Sequence, residues 1–326
     1  MDRRRFAAMI ASALAAPLLC AQVPERIRRI GFLQILARKE LEDLIQAFEG
    51  GLRDHGWVNG KNLAIEFRFA EGKIDRLPAL ALELEKLGVE IIVTGTNPGT
   101  RAVLDATARV PIVTPIGTNV VEAGFAASLA KPGGRVTGLV FVLGVELYGK
   151  RLEILKEAVP KASRVAILWD PSFENSSDFK PTLERAATAL KLSLVWIVVA
   201  ANEDADGFVA RAIRERADSL FVVGGAKTYG LRLQIVQLAA KHRMPAMYDS
   251  SAFTDAGGLL SHAPSLAAAF RECTRFVDKI LKGASPGDLA IERPVKFETV
   301  VNLKAAKALG LTIPQSVLVR ADRVIE

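Results

Sequence analysis

Two aspartates and a glycine-rich turn offer most of the chemistry in this chain. Asp170 follows the apolar run RVAILW and Asp249 follows PAMY, so each sits where a strand should end. A pair of carboxylates can exchange protons with a substrate. Either one can equally hold a ligand's ammonium, and Asp170, which precedes Pro171, also suits a plain turn. The turn GTNPGT (95–100) follows an apolar run and precedes RAVLDATARV, a helix pattern. It offers the hydroxyls of Thr96 and Thr100, the amide of Asn97, and the backbone N–H of Gly99. Pro98 suits the first turn of a helix.

The turn lacks the lysine that a GxxxxGK[ST] phosphate loop requires, and no GxGxxG dinucleotide fingerprint occurs. An uncharged cradle of N–H groups and small hydroxyls suits a carboxylate or a sugar better than a triphosphate. A tight, capped strand-to-helix turn would look the same. His55, His242 and His262 lie in unrelated contexts with no metal-ligand spacing, and the GxSxG match GASPG (283–287) follows a helix pattern instead of a strand, so no nucleophile elbow is visible. Neither a nucleophile, a metal nor a cofactor is therefore expected.

The elements that must position these residues alternate. Strand-like RRIGFLQI, NLAIEFRFA, VEIIVTG and PIVTPI are interleaved with helix-like segments, as in Leu41, Leu44, Ile45, Phe48 and Leu52. After KPGGRVTGL the alternation restarts with YGKRLEILKEAVP, RVAILWD and FKPTLERAATALKLS, then LVWIVVA, DADGFVARAIRERA, SLFVVGG, RLQIVQLAAKHR and PAMYD. Such alternation predicts parallel sheets covered by helices, here as two Rossmann-like or flavodoxin-like α/β lobes. SLAAAFRECTRFVDKILKG predicts one long helix. Crossings near 140–146, 258–264 and 284–292 assign 27–142 plus 263–290 to lobe 1, and 143–262 plus 291–326 to lobe 2.

Ligands of parallel α/β sheets collect beyond the carboxyl ends of the strands. That rule selects the turns at 33–38, 95–100, 116–121, 169–177, 224–229 and 248–253. The candidate ligand-binding residues are Thr96, Asn97, Gly99, Gly117, Asn119, Asp170, Gly225, Tyr248, Asp249 and Ser250. Trp169, Phe173, Tyr229, Tyr248 and Phe253 fall near the same mouth and could line it with aromatic surface.

The N-terminus, MDRRRFAAMIASALAAPLLCAQ, has a basic start, an apolar run and small residues, the plan of a secretory signal over residues 1–21. Arg3-Arg4-Arg5-Phe6 fits a twin-arginine signal as well as a Sec signal. Cys20 raises lipid anchoring, although Leu19 is larger than the residue that usually precedes a lipidated cysteine. The expected product is a soluble periplasmic protein. Without Arg3, Arg4, Arg5 and Asp2 the net charge falls from +7 to +5, and the remaining charge is dispersed, which argues against a nucleic-acid partner. Of the two cysteines only Cys273 remains, so no intrachain disulfide forms. Its helical spacing from Phe270, Phe276 and Val277 suits a small buried side chain.

Stretches covering nearly all of the mature chain resemble one family, the substrate-binding proteins of bacterial ABC importers labelled tryptophan/tyrosine transport-like. They include RRIGFL, AFEGGLRDHGWVNGKNLAIEFRFAEG, ASLAKPGGRVTGL, KRLEILKEAVP, RMPAMYDSSAFTDAGGLLS and the long block VDKILKGASPGDLAIERPVKFETVVNLKAAKALGLTIPQSVLVRADRVIE. The resemblance implies a two-lobed periplasmic-binding fold of type I with three crossovers. It implies no catalysis and no cofactor. Its implied partners are a small ligand bearing a carboxylate and a membrane permease, and it implies a monomer. It assigns the ligand carboxylate to Thr96, Asn97 and Gly99, and the ammonium to Asp249 with Ser250 assisting.

Three positions depart from the family. Asn119-Val120-Val121 replaces a common Asp-Pro-Val, His262 replaces a common Tyr, and Lys227 stands where many relatives have Asp. The Asn119 and Lys227 departures favour a more acidic ligand, such as an aromatic or branched organic acid, beside an amino acid. An exported α/β enzyme using Asp170 and Asp249, and a ligand sensor without transport, are the competing expectations.

Overall fold

The computed structural model describes residues 27–140, 145–171, 177–200, 203–293 and 297–326. Five parallel strands form the first sheet: β1 (Arg28–Gln34), β2 (Leu63–Phe69), β3 (Ile91–Val93), β4 (Ile112–Gly117) and β5 (Val136–Val140), in the order β2-β1-β3-β4-β5. Between them run α1 (Glu42–Asp54), α2 (Leu77–Lys86) and α3 (Asn97–Ala106). Ile30, Phe32, Ile91, Ile92 and Val93 are wholly buried, as expected of strands covered on both faces. Phe32 packs its ring against Phe48 of α1 at 5.3 Å and against Phe270 at 6.0 Å.

The fifth strand was hidden in KPGGRVTGL, which the sequence presents as a glycine-rich restart. Gly138 explains it: a Cβ there would stand 2.1 Å from the carbonyl oxygen of Thr114, so only glycine lets β5 pair so closely with β4. The β4–β5 register also shifts between Thr114 and Gly117, which places an irregularity at the carboxyl end of β4.

The second sheet holds β6 (Arg164–Trp169), β7 (Ser193–Val198), β8 (Ser219–Val222), β9 (Ala246–Tyr248), β10 (Leu260–Pro264), β11 (Phe297–Asn302) and β12 (Arg323–Ile325). Its order is β12-β11-β10-β9-β8-β6-β7. Its helices are α4 (Glu146–Ala158), α5 (Phe179–Ala189), α6 (Ala205–Arg214), α7 (Ala226–Gly230), α8 (Arg232–Lys241) and α9 (Ser251–Asp255). All pairings are parallel except β10 with β11, where the chain returns from the first lobe and enters the sheet reversed.

After β10 the chain crosses back: α10 (Leu266–Glu272) and α11 (Thr274–Leu281) bring Phe270, Cys273, Phe276 and Val277 into the core under β1. These are two helices where the hydrophobic spacing predicts one. The hydroxyl of Thr274 and the thiol of Cys273 donate to the carbonyls of Arg271 and Phe270, and such local bonds compete with the helical ladder at the joint. Cys273 is wholly buried. The backbone of Glu292 pairs beside Leu139 and Val140 at the edge of the first sheet, and β11, α12 (Leu303–Ala308), α13 (Gln315–Leu318) and β12 complete the second lobe. Ala263 and Pro264 belong to β10, so the second sheet extends two residues past the boundary suggested by segment order.

Candidate ligand site

The carboxyl ends of the two sheets bring together side chains from both lobes. In the first lobe, Thr96 caps α3, its hydroxyl accepting from the N–H of Gly99 at 3.2 Å. Asn97 is engaged across the sheet. Its amide donates to the carbonyl of Thr118 at 2.7 Å and accepts from the Thr118 N–H at 3.2 Å, which locks the turn after β3 to the turn after β4. Gly99 has a packing reason for being glycine, because a Cβ would stand 2.1 Å from the Thr94 hydroxyl. Gly117 closes β4 and Asn119 follows it with a left-handed φ of 45°.

Beside this turn lies Gln34, the last residue of β1 and 4% exposed. Its Oε1 accepts from the N–H of Gly95 at 3.3 Å, while its Nε2 has no partner. The hydroxyls of Thr94, Thr100 and Thr114 are buried without partners too. Buried polar groups are normally satisfied, so orphans on β1, β4, α3 and the residue after β3 mark a place where a polar ligand can bind.

In the second lobe, Asp249 follows β9 and Ser250 caps α9, its hydroxyl accepting from the N–H of Ala252. Burial pushes the Asp249 carboxyl up to about 6, against the field of Arg151 and the N–H groups of Asp249 and Gly224, which favour the anion. Arg151, on α4, is wholly buried. Its Nε donates to the carbonyl of His262 at 2.7 Å, and neither Nη1 nor Nη2 has a partner. His262 meets Thr299 Oγ1 through Nδ1 at 2.8 Å, and burial followed by Arg151 pushes its imidazole down to about 4. Asp170 follows β6 and Gly225 stands at the N-cap of α7, three residues past β8; both are half-buried.

The lobes touch. Tyr229 of α7 reaches the core of the first lobe and its hydroxyl donates to Asp43 Oδ2 at 3.1 Å. Gly230 lies so close to Glu40 and Leu36 that a Cβ would come within 3.1 Å of each. The carboxyl ends of the two sheets therefore close over one another.

Residues 29–325 match the family model described as ABC transporter substrate binding protein. The chain belongs to that family. It is 23% identical over 284 residues to the tyrosine-binding protein of Clostridioides difficile (strain R20291), a match covering 87% of this chain and 81% of that one. Its fold is shared by a conserved domain protein from Vibrio cholerae, with a TM-score of 0.81, 24% identity, and 92% and 100% of the two chains covered. A Streptococcus pneumonia ABC domain in complex with L-Trp gives a TM-score of 0.80 at 24% identity, covering 91% of this chain and 99% of that one. The two-sheet, mostly parallel architecture is that of type I periplasmic-binding proteins.

Within this substrate-binding protein two expected site residues lie elsewhere. Tyr248 is 1% exposed and stacks on Phe253 at 4.7 Å in the core beneath α6 and α8, and so does not face the cleft. The strand alternation decides this, since Met247 takes the opposite face. Phe253 is buried with it. Trp169 belongs to an aromatic group with Phe179 and Trp196, and Lys180 Nζ lies 4.3 Å from its ring centroid. Lys227 is half-buried within α7. Phe173, Cys20 and the signal-like segment lie outside the described residues. No described helix is long and apolar enough to cross a membrane.

Gln34 lies in the selected 33–38 turn but was not among the named candidates, and Arg151 lay outside every selected segment. For Arg151 a signal existed: Tyr148, Arg151, Leu152 and Leu155 follow the i, i+3, i+4, i+7 pattern of a buried helix stripe, and a charge within such a stripe needs a reason.

Proposed function

We propose that the protein is an extracytoplasmic solute receptor of an ABC importer. It binds a small ligand bearing a carboxylate, an amino acid or an aromatic or branched organic acid, between its two lobes and passes it to a membrane permease. The observation that carries this reading is the set of buried, unpartnered polar groups in both lobes, with Gln34 at the end of β1, Thr94 just past β3 and Thr114 on β4 in one, and Arg151 on α4 in the other. Family membership, a relative named as a tyrosine-binding protein and a structural neighbour in complex with L-Trp support it. The mechanism is closure: a solute held by both lobes replaces the water that would hydrate these groups, and binding favours the closed arrangement.

The test is a thermal-shift screen of the protein lacking residues 1–21 against the twenty amino acids and a panel of aromatic and branched acids. A ligand at about 100 times its Kd stabilises by roughly 2.7 kcal/mol, which raises the Tm by several degrees. Small-angle scattering should show compaction with the same compound. Loss of uptake of that compound on deleting the gene links binding to transport, while unchanged uptake would leave a sensor. A screen without any shift sinks the receptor reading.

A further inference from the structure

The amino edge of the second sheet, the end away from the cleft, gathers positive charge. Strands β9, β8, β6 and β7 stand side by side there, with Leu220 opposite Ala246, Val165 opposite Ser219 and Arg164 opposite Ser193. The turns that enter these strands, at 159–164, 190–193, 214–219 and 241–246, therefore form one row, about 14 Å long at a strand spacing of about 4.8 Å. Lys161, Lys191, Arg214, Arg216, Lys241 and Arg243 lie in it, all exposed and none in an ion pair among the described residues. Arg164 pairs with Glu215, and Asp218 accepts from the N–H groups of Ser163 and Arg164 and from the Ser163 hydroxyl. Of the 40 basic and 35 acidic residues in 22–326, the four turns hold seven and two, so the remainder balances at 33 of each. The net +5 that reads as dispersed along the sequence is gathered by the fold onto this edge.

Three of these cations sit on a backbone that disfavours them. Lys191, Arg216 and Arg243 have left-handed φ values of 55°, 58° and 52°. They close α5, α6 and α8 with the same pair of bonds; in α6 the N–H of Arg216 donates to Ile213 and that of Ala217 to Ala212. Helices α1, α2, α11 and α12 end in that same cap, there with Gly56, Gly88, Gly283 and Gly310. A side chain at such a position carries a conformational cost that glycine avoids. The helix dipoles do not require these residues, since Arg214 and Lys241 already stand in the last turns of α6 and α8.

Resting on the receptor reading, which places the chain outside the cytoplasm beside a membrane permease, we propose that this edge docks the protein on an anionic phospholipid bilayer. An exposed row of unpaired cations complements a plane of phosphates, and a Lys or Arg near such a surface strengthens binding about fivefold. The attraction reaches only a Debye length, about 8 Å at physiological salt, so the row itself must meet the headgroups. The cleft lies at the other end of the strands and stays open to solute while the edge is docked.

The test is co-sedimentation of the protein lacking residues 1–21 with vesicles of phosphatidylcholine, alone or mixed with an equal amount of phosphatidylglycerol. The mixed vesicles should bind it and the neutral ones should not. Salt at about 1 M, where the Debye length falls to about 3 Å, should release it. Lys191→Asn, Arg216→Asn and Arg243→Asn remove charge, while asparagine keeps the left-handed cap. Each should weaken binding about fivefold, and the triple variant about 100-fold. Lys61→Asn and Arg109→Asn, which remove exposed cations of the first lobe, should change nothing. Urea unfolding checks that the triple variant stays folded; if it does not, the single variants carry the test. Equal binding to both kinds of vesicle, full binding by the Asn variants, or an equal loss in the first-lobe controls overturns the proposal. So does a DNA duplex bound as tightly as the mixed vesicles at the same salt, which would make the row a general polyanion surface. The thermal-shift screen is independent of this assay. A solute shift without vesicle binding removes the docking edge and keeps the receptor, and vesicle binding without any solute shift does the reverse.

Discussion

The hydroxyl of Tyr229 donates to Asp43 Oδ2 across the two lobes, joining α7 of one to α1 of the other. Burial followed by the Asp43 charge holds the phenol well above its usual proton affinity, so it remains a donor. The Arg232 guanidinium covers its ring at 4.6 Å. Tyr229→Phe keeps the ring and removes only the bond, worth about 1 kcal/mol. Closure should weaken accordingly, with ligand dissociation about fivefold faster and association little changed. Stopped-flow tryptophan fluorescence measures both rates, and an unchanged dissociation rate would exclude a latch here.

Thr96→Ala removes the cap of α3. The loss should cost about 1 kcal/mol of stability, read from urea unfolding. Asn97→Ala should cost more, because it severs two bonds that tie the turns after β3 and β4 and leaves Thr118 backbone groups unpaired. If Thr96→Ala proved the more damaging, the cross-sheet tie would not be what holds these turns.

Gly99→Ala places a methyl 2.1 Å from Thr94 Oγ1 and should destabilise the protein by about 1–3 kcal/mol. That hydroxyl has no partner, so Thr94→Ala alone should cost little. The double variant should recover most of the loss, a coupling that equilibrium unfolding of all four proteins measures. Strictly additive losses would show that the contact is not the cause.

The pH response follows from two groups shifted in opposite directions. The Asp249 carboxyl rises from 3.8 to about 6, so its contribution to stability is full below 3.8 and is lost as pH rises through 6. The His262 imidazole falls from 6.5 to about 4, under burial and the charges of Arg151 and Lys150 and against Asp322, so its contribution is full above 6.5 and is lost as pH falls toward 4. Between pH 4 and 6 the two slopes oppose each other in the ligand-free protein. Asp249→Asn leaves only the His262 slope, and stability should then drop more steeply on acidification than in the wild type. Denaturant midpoints across that range provide the check; parallel curves for the two proteins would rule it out.

Much of the site's framework could be read from local sequence. The capping role of Thr96, Pro98 in the first turn of α3, and the placement of Asp170 and Asp249 just past strand ends all follow from patterns a few residues long. Asn97 was legible as a turn residue but not as a tie to Thr118, since that partner lies 21 residues away on another strand's turn. Tyr248 was misread because the residue at the end of a three-residue strand can face either side, and the neighbouring sheet order chooses.

By itself the sequence determined the α/β class, most of the order of helices and strands, the turns beyond the carboxyl ends of the strands, and the resemblance to substrate-binding proteins. Backbone geometry imposes periods of about 3.6 and 2 on apolar residues, so these features are written within short windows. Only the tertiary structure decided which polar groups meet. It buried Arg151 with both Nη groups unpartnered, turned Tyr229 into the opposite lobe, and set Gln34 beside the GTNPGT turn. Those relations depend on strand order and lobe closure, which join residues 60 to 190 positions apart.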